Sequence, residues 1–285
     1  MIKGNIFICA LASIVLAWGC DKIEANENGL YEEYAGSAIT WSEGTSITTN
    51  AGQRVFLEKY TGPKCPNCPT ADDSIHSAQR QFGNRLVVVA IHDYSSFGRP
   101  LGEIDLRTEK GDNWSSYFGV RNAGSYPSAI INRMHNDNTF DLFMPTTVLS
   151  DKIANALTSA HSINMEVTST LTANTTTIDV NIEFIQKVTD SLTLTIFVME
   201  DSIIAPQTMP NGSRNQDYVH NHILRDVVTD IWGIPVYADG HEGSRRKAEL
   251  KYTIKPEWNK EHCHIVAFVS NAATREVLNV AECKL

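Results

Sequence analysis

Two cysteines in a C-x-x-C motif are the residues of this sequence best suited to chemistry. The run Cys65-Pro66-Asn67-Cys68 places two thiols three residues apart, close enough to form a disulfide. At the start of a helix, the positive end of the helix dipole stabilises a thiolate, which can then attack a disulfide. We therefore predict Cys65 as the nucleophile and Cys68 as the resolving thiol, which closes the internal disulfide and releases a partner.

The segments around the motif have the pattern of strand, helix and strand. The runs VFLEKY, from Val55, and RLVVVAIH, from Arg85, are rich in apolar and β-branched residues and have the length of strands. Pro69 suits an early helical position and Gly83 a helix end, so a helix is predicted between them. The C-x-x-C motif then lies at the start of that helix.

Further along the chain, Tyr126-Pro127 precedes the strand-like run SAII and is predicted to be a cis-proline loop. Because such a loop faces the disulfide in a thioredoxin fold, Pro127 joins the predicted catalytic set and Tyr126 is predicted to contact bound peptide. Glu58, in the first strand, is the candidate carboxylate for moving the proton of Cys68. His92, after the second strand, is expected to be hydrogen-bonded or to face solvent.

The C-x-x-C pair has two other interpretations. A zinc site needs a second pair of ligands at metal spacing, and residues 46–155 lack one, so neither a zinc site nor a cofactor is predicted. A permanent disulfide that exchanges with nothing remains the alternative to a redox centre. The motif leaves both open because it defines a geometry and not a redox cycle.

The first 20 residues have the features of a bacterial lipoprotein signal. Lys3 precedes an apolar stretch that is shorter than the roughly 20 residues of a membrane-spanning helix, and Gly19-Cys20 ends it. We predict residues 1–19 as the signal peptide, Cys20 as the lipid-bearing residue that anchors the chain to a membrane, and residues 20–45 as a tether. A plain secretory signal is the alternative.

Charge and length narrow the class of protein further. The chain has 24 Lys and Arg against 33 Asp and Glu, a formal charge of −9, so nucleic acid is not an expected partner. Its 285 residues suit two domains. We predict an α/β thioredoxin-like domain over residues 46–160. After it, alternating runs rich in Thr, Val and Ile predict an all-β, immunoglobulin-like sandwich over residues 161–285.

The C-terminal half contains two more cysteines near the ends of apparent strands. A symmetric hairpin would place Cys263 opposite Cys283 on one face of the two strands. In an exported protein, such a pair is expected to be oxidised. The sequence therefore predicts a structural disulfide between them.

Histidines and a long polar segment are the remaining candidates for binding. His220-Asn221-His222 and His262-Cys263-His264 each place two imidazoles on one side of a strand. Nothing in the sequence brings the two pairs together, so they are interpreted as exposed pairs and no metal site is predicted. The polar segment 201–226 is expected to carry a binding surface, because long excursions between strands often do.

Several runs of the sequence resemble those of the outer-membrane-protein-28-related family of Bacteroidetes lipoproteins: LEKYTGPKCPNCP, VVVAIH, SYPSAIINR, YVHNHILRDVV and AFVSN. The resemblance implies a thioredoxin-like domain followed by a β-rich domain. It also implies a lipid anchor at the outer membrane, on the periplasmic or the surface side, and envelope or surface proteins as substrates or ligands.

Two hypotheses of function follow from the residues and the resemblance. The first is thiol-disulfide exchange on envelope or surface proteins through Cys65 and Cys68. The second is a non-catalytic binding or adhesion lipoprotein, in which the same pair forms a structural disulfide.

Overall fold

The structure is a computed structural model that describes residues 31–34, 37–47, 52–134, 139–141, 146–236 and 240–285. The signal peptide and Cys20 lie outside the described residues, so their roles stay predictions. The described chain is mostly β-sheet with few helices. None of the helices in these ranges is long and apolar enough to cross a membrane.

The elements follow in chain order. The strands are β1 (Tyr31–Tyr34), β2 (Ser37–Ser42), β3 (Val55–Thr61), β4 (Leu86–His92), β5 (Ser128–Ile131), β6 (Thr139–Asp141), β7 (Ile163–Thr172), β8 (Thr175–Phe184), β9 (Leu192–Glu200), β10 (Ile203–Thr208), β11 (Arg214–His220), β12 (Ile223–Val227), β13 (Ile234–Pro235), β14 (Arg245–Thr253), β15 (Cys263–Asn271) and β16 (Val277–Lys284). The α-helices are α1 (Cys68–Phe82), α2 (Glu109–Tyr117), α3 (Val120–Ala123) and α4 (Thr146–Ala156), and short 3-10 helices lie at Gly83–Arg85 and Lys260–His262.

The largest sheet contains strands from both predicted domains. Its order is β16-β15-β9-β12-β4-β3-β5-β6, with β13 paired to β9. β3 and β4 are parallel, as the strand-helix-strand pattern requires, and β5 runs antiparallel to β3. β12 joins β4 in parallel, with Ile223 opposite Ala90. The sheet is therefore continuous across the predicted boundary at residue 160, and the division into two domains stays a prediction.

A second sheet, in the order β1-β2-β14-β8-β7, packs against the β9 and β15 part of the large sheet. Val180 of β8 shares a core there with Ile196 of β9 and Ile265 of β15. The sequence places residues 37–42 in the tether, but they form β2, which is hydrogen-bonded to β14 and buries Ile39. The tether prediction is corrected for these residues, because alternation gives the strand an apolar face.

The β3-β4-β5 part of the large sheet is covered on both faces. Leu57 of β3 packs with Ile75 of α1 and Ile153 of α4. Phe56, its neighbour in sequence, points to the opposite face and shares a core with Trp114 of α2. All seven residues of β3 are buried, as expected of a parallel strand between two helical layers. This strand and α1 position the disulfide motif.

Candidate functional site

The Cys65–Cys68 pair forms a disulfide at the start of α1. The two Cα atoms are 5.4 Å apart, and Cys68 is the first residue of the helix. Pro69 follows it, at a position where a missing N–H removes no helical hydrogen bond. The positive end of α1 therefore lies at the disulfide, as the sequence predicted.

The peptide bond between Tyr126 and Pro127 is cis, as predicted, and β5 begins at the next residue. The Tyr126 hydroxyl donates to Asp93, a buried carboxylate at the end of β4. The Tyr126 ring lies 5.3 Å from that of Phe97, whose carbonyl accepts from the backbone N–H of Lys64 in the disulfide loop. Through Phe97, Tyr126 thus links the loop that contains the cis bond to the disulfide loop. The contact of Tyr126 with bound peptide stays a prediction.

Neither cysteine of the disulfide reaches the surface. Cys65 is 0% exposed and Cys68 is 1% exposed. The β10–β11 hairpin lies on the disulfide loop: Gln207 Nε2 donates to the carbonyl oxygen of Cys65 at 2.9 Å, and the Thr208 N–H donates to that of Pro63 at 2.8 Å. Disulfide exchange begins when a thiolate attacks one of the sulfurs, and in this arrangement both sulfurs belong to buried residues.

This hairpin belongs to the polar segment in which the sequence predicted a binding surface. The segment makes an internal contact with the disulfide loop through β10, and its binding surface stays a prediction. Gln207, which forms that contact, is itself 2% exposed. No local signal in the sequence indicates its role, because its partner lies 142 residues away along the chain.

Glu58 does not lie beside the disulfide, so its predicted role in proton transfer is wrong. It occupies the face of β3 that is turned away from α1, because side chains alternate along a strand. Its carboxylate accepts from Arg133 Nη2 at 2.6 Å and from Nε at 3.0 Å. Arg133 lies over the ring of Trp114, 4.3 Å from its centroid, and both charged side chains are buried. The pair is a structural element of the core.

Lys59, the next residue of β3, faces α1 instead and forms an ion pair with Asp72. Tyr218 of the β10–β11 hairpin donates to the other carboxylate oxygen of Asp72 at 2.7 Å. A strand, a helix and the hairpin therefore meet at one carboxylate. The sequence analysis missed these residues, although Asp72 follows Cys68 by four positions and so lies on the same side of α1.

Two buried histidines lie next to this ion pair. The rings of His92 and His220 are 5.9 Å apart. His92 is 2% exposed, and within the described ranges neither of its ring nitrogens has a hydrogen-bond partner, which corrects the expectation from sequence. Burial lowers the pKa of His92 well below its ordinary value and that of His220 to about 4, and the charge of Lys59 acts in the same direction. Both rings are therefore neutral at pH 7.

Cys263 and Cys283 are free thiols, and the predicted disulfide between them is corrected. Cys283 lies opposite Ile265, two residues from its predicted partner. A bulge between Val269 and Ser270 shifts the pairing of β15 and β16, so the hairpin is not symmetric as the prediction assumed. Burial, with the nearby carboxylate of Glu200, raises the pKa of Cys263 to about 12, which keeps it protonated.

One histidine from each H-x-H motif contacts Asp201, the residue after β9. The distance from His222 Nδ1 to Oδ1 is 3.2 Å, and that from His264 Nε2 to Oδ2 is 3.3 Å. The sequence did not predict this convergence. In the part of the chain that the structure describes, no group of three or more His, Cys, Asp or Glu could hold a metal ion. The contacts connect the ends of three strands.

Fold and site together define a β-rich protein with a C-x-x-C disulfide buried at the start of a helix. Residues 112–285 match the family model described as Outer membrane protein Omp28, and the chain belongs to this family. The family name points to the outer membrane of the cell envelope.

Two solved structures share the fold. HBP35 of Porphyromonas gingivalis matches with a TM-score of 0.64 and 16% identity, over 82% of this chain and 76% of that one. Protein AGR_C_4864 from Agrobacterium tumefaciens matches with a TM-score of 0.52 and 17% identity, over 81% of this chain and 94% of that one. Identities this low establish the fold and not the function. No curated protein matches the sequence.

Proposed function

We propose that the chain is an exported, lipid-anchored binding protein of the cell envelope in which the Cys65–Cys68 disulfide is structural. The observation that carries this proposal is the burial of both cysteines in contact with the β10–β11 hairpin. A catalytic disulfide needs one sulfur that a partner thiolate can reach. The lipid is attached at Cys20, and envelope or surface proteins are among the expected partners.

The proposal includes a thioredoxin-like unit as the scaffold. The strand order β4-β3-β5-β6 supports it, with α1 and α4 packed on the same face. The C-x-x-C motif at the start of α1 and the cis Tyr126–Pro127 bond before β5 support it further. The later strands add a β-rich module, which thiol exchange does not need.

As a structural element, the disulfide fixes the loop on which the hairpin rests. Carbonyl groups of this loop accept from Gln207 and Thr208, so their positions determine where β10 lies. The hairpin in turn exposes Ile204 (57%) and Val219 (48%), which are apolar side chains open to a partner. The disulfide therefore stabilises the exposed surface of the β10–β11 hairpin and does not itself react with a partner.

The direct test is reduction of insulin by dithiothreitol in the presence of the full chain. We expect insulin to precipitate at the same rate with the wild-type chain, with its Cys65→Ser variant and with a Cys283→Ser control. A wild-type rate clearly above that of Cys65→Ser would contradict the proposal.

Thiol-disulfide exchange is the second candidate, and the position of the disulfide at the start of α1 favours it, because a helix N-terminus stabilises a thiolate. In this case the hairpin opens, a partner thiolate attacks the sulfur of Cys65, and the bond to Cys68 breaks to give a mixed disulfide and a free Cys68 thiolate. Gln207→Ala removes a hydrogen bond that closes the site. Under this second candidate, that variant reduces insulin faster than the wild type does.

A further inference from the structure

A small polar cavity lies between the β10–β11 hairpin, α1 and the large sheet. The hairpin forms a separate two-stranded sheet, so it can move without breaking the strand pairing of the large sheet. The cavity measures about 20 Å³. Every element packed around it contributes ionisable groups: Lys59 of β3, Asp72 and His76 of α1, His92 of β4, Tyr218 and His220 of β11, and His222, which precedes β12.

At neutral pH the charges in this cavity balance, because Lys59 pairs with Asp72 and the two buried histidines are neutral. His92 is 2% exposed and His220 is 6% exposed, and their ring centres are 5.9 Å apart. His220 Nε2 donates to the carbonyl oxygen of Ala205 at 3.2 Å, a bond within the hairpin that a neutral ring can make. The closed hairpin therefore covers two uncharged rings.

Protonation of the two buried rings would upset this balance. Two imidazolium charges would join Lys59 around Asp72, the one carboxylate among the described residues that line the cavity. The space holds about one water molecule, and a buried charge without a counter-charge is costly. The other two histidines differ, since His76 is exposed and His222 contacts Asp201, so water and that carboxylate compensate their charges.

The two ends of the hairpin are tied to each other at its base. The Ser202 N–H donates to Asn221 Oδ1 at 2.9 Å, and the His222 N–H donates to Asp201 Oδ1 at 2.6 Å. Ser202 and His222 have φ values of 59° and 61°, in the left-handed region that residues other than glycine rarely adopt. Such residues are common in switch regions. The base can therefore act as a hinge while the body of the hairpin moves.

We propose that the β10–β11 hairpin is an acid-sensitive lid, which protonation of His92 and His220 moves off the disulfide loop. Opening breaks the bonds from Gln207 to this loop and from Tyr218 to α1. It brings both rings into water and exposes the disulfide. The proposal rests on the binding function proposed above in one respect, because the surface that acid displaces is the one to which a partner would bind.

The lowered pKa of His220 gives the size of the expected effect. The pKa of this ring is about 4 in the closed protein, against an ordinary value of 6.5. If the open form restores the ordinary value, the equilibrium shifts towards that form about twentyfold between pH 7 and pH 5. His92 adds to this shift, because burial lowers its pKa as well.

Hydrogen exchange of the full chain, followed by mass spectrometry at pH 7 and pH 5, tests this opening. Protection is corrected for the intrinsic exchange rate at each pH. We expect the amides of residues 203–220 to lose protection at least about twentyfold at pH 5, while those of β15 keep theirs. Equal protection of the hairpin at both pH values would overturn the proposal. An equal loss in the hairpin and in β15 would also overturn it, because that result indicates global unfolding.

The reactivity of the disulfide is the second readout. Its rate of reduction by a water-soluble phosphine is divided by the rate for the oxidised peptide KCPNCPT in the same buffer. This ratio should rise at least about twentyfold from pH 7 to pH 5. A ratio that does not change with pH would contradict exposure of the disulfide.

A variant assigns the effect to one ring. His220→Gln keeps an N–H donor for the carbonyl of Ala205 but takes up no proton, so its rise should be about twentyfold smaller than that of the wild type. His241→Gln, at an exposed position, is the matched control and should keep the full rise. An equal rise in His220→Gln and the wild type would refute the assignment. The insulin assay is run at neutral pH, so failure of one proposal is distinguishable from failure of the other.

Discussion

Two neighbouring residues of β3, Glu58 and Lys59, are both charged and both buried, yet their surroundings differ. The Glu58–Arg133 pair is sealed, with side chains that are 0% and 1% exposed. The Lys59–Asp72 pair lies on the other face of the sheet, and the Asp72 side chain is 22% exposed. One strand therefore carries an ion pair in each of the two layers that it separates.

The difference indicates that the layer on the Glu58 side of the sheet is purely structural. Arg133 lies between aromatic rings, 4.3 Å from the centre of Trp114 and 4.8 Å from that of Phe268. On the Lys59 side, a cavity of about 20 Å³ is lined by the ion pair and by His92 and His220, and roughly 10–15 Å³ is enough for one water molecule. The layer next to the disulfide is therefore the more polar one, and it can respond to pH.

The largest expected effect comes from breaking the sealed pair. Glu58→Gln leaves the Arg133 charge buried without a carboxylate, and removing one partner of such a pair costs about 3–5 kcal/mol in the free energy of unfolding. Urea denaturation of the variant measures this loss. Glu103→Gln, at an exposed position, is the control and should change stability little. A loss below about 1 kcal/mol, the range of exposed pairs, would show that the Arg133 side is open to water.

The next effect is a pH dependence that originates on the Lys59 side. The pKa of His220 is lowered from 6.5 to about 4 by burial, so the folded protein holds this ring neutral while the unfolded chain protonates it. Above pH 6.5 this ring does not lower the free energy of unfolding. As the pH falls from 6.5 to 4, the free energy of unfolding decreases by up to about 3 kcal/mol. His92 acts in the same direction.

The histidine prediction is checked by measuring the free energy of unfolding at several pH values. His220→Gln should flatten the decline between pH 6.5 and 4, whereas His241→Gln, at an exposed position, should leave it unchanged. Equal slopes for His220→Gln and the wild type would show that the ring is hydrated in the folded protein.

A smaller effect is expected from the more open ion pair itself. Asp72→Asn removes the charge that compensates Lys59 and weakens the bond from Tyr218, for a loss of about 2 kcal/mol. Asp73→Asn, one residue along the same helix turn and exposed, should cost less than about 0.5 kcal/mol. If the two variants lose equal stability, the Lys59–Asp72 pair is no more than a surface contact.

Local patterns predicted the parts of the site that depend on neighbouring residues. The C-x-x-C motif, Pro69 and the flanking apolar runs predicted the strand, helix and strand, and Tyr126-Pro127 predicted the cis bond. Each of these depends on side chains within a few positions, where turn, cap and helix preferences act.

The remaining features depend on register and on distant contacts. Choosing Glu58 instead of Lys59 is a shift of one position along a strand, and that shift exchanges the two faces of the sheet. The disulfide predicted between Cys263 and Cys283 failed because the pairing of β15 and β16 is offset by two residues from the predicted register, and the bulge accounts for one of the two. The contact between Gln207 and Cys65 has no local signal at all, and it is this contact that closes the site.

The central claim is that the Cys65–Cys68 disulfide is structural, and its reduction potential tests that claim most directly. The purified full chain is equilibrated in thiol-disulfide buffers of known potential, and mass spectrometry measures the oxidised fraction of the peptide that contains Cys65 and Cys68. We predict a potential below about −300 mV, the range of structural disulfides. A potential near −200 mV or higher, in the range of disulfides that exchange, would contradict the account.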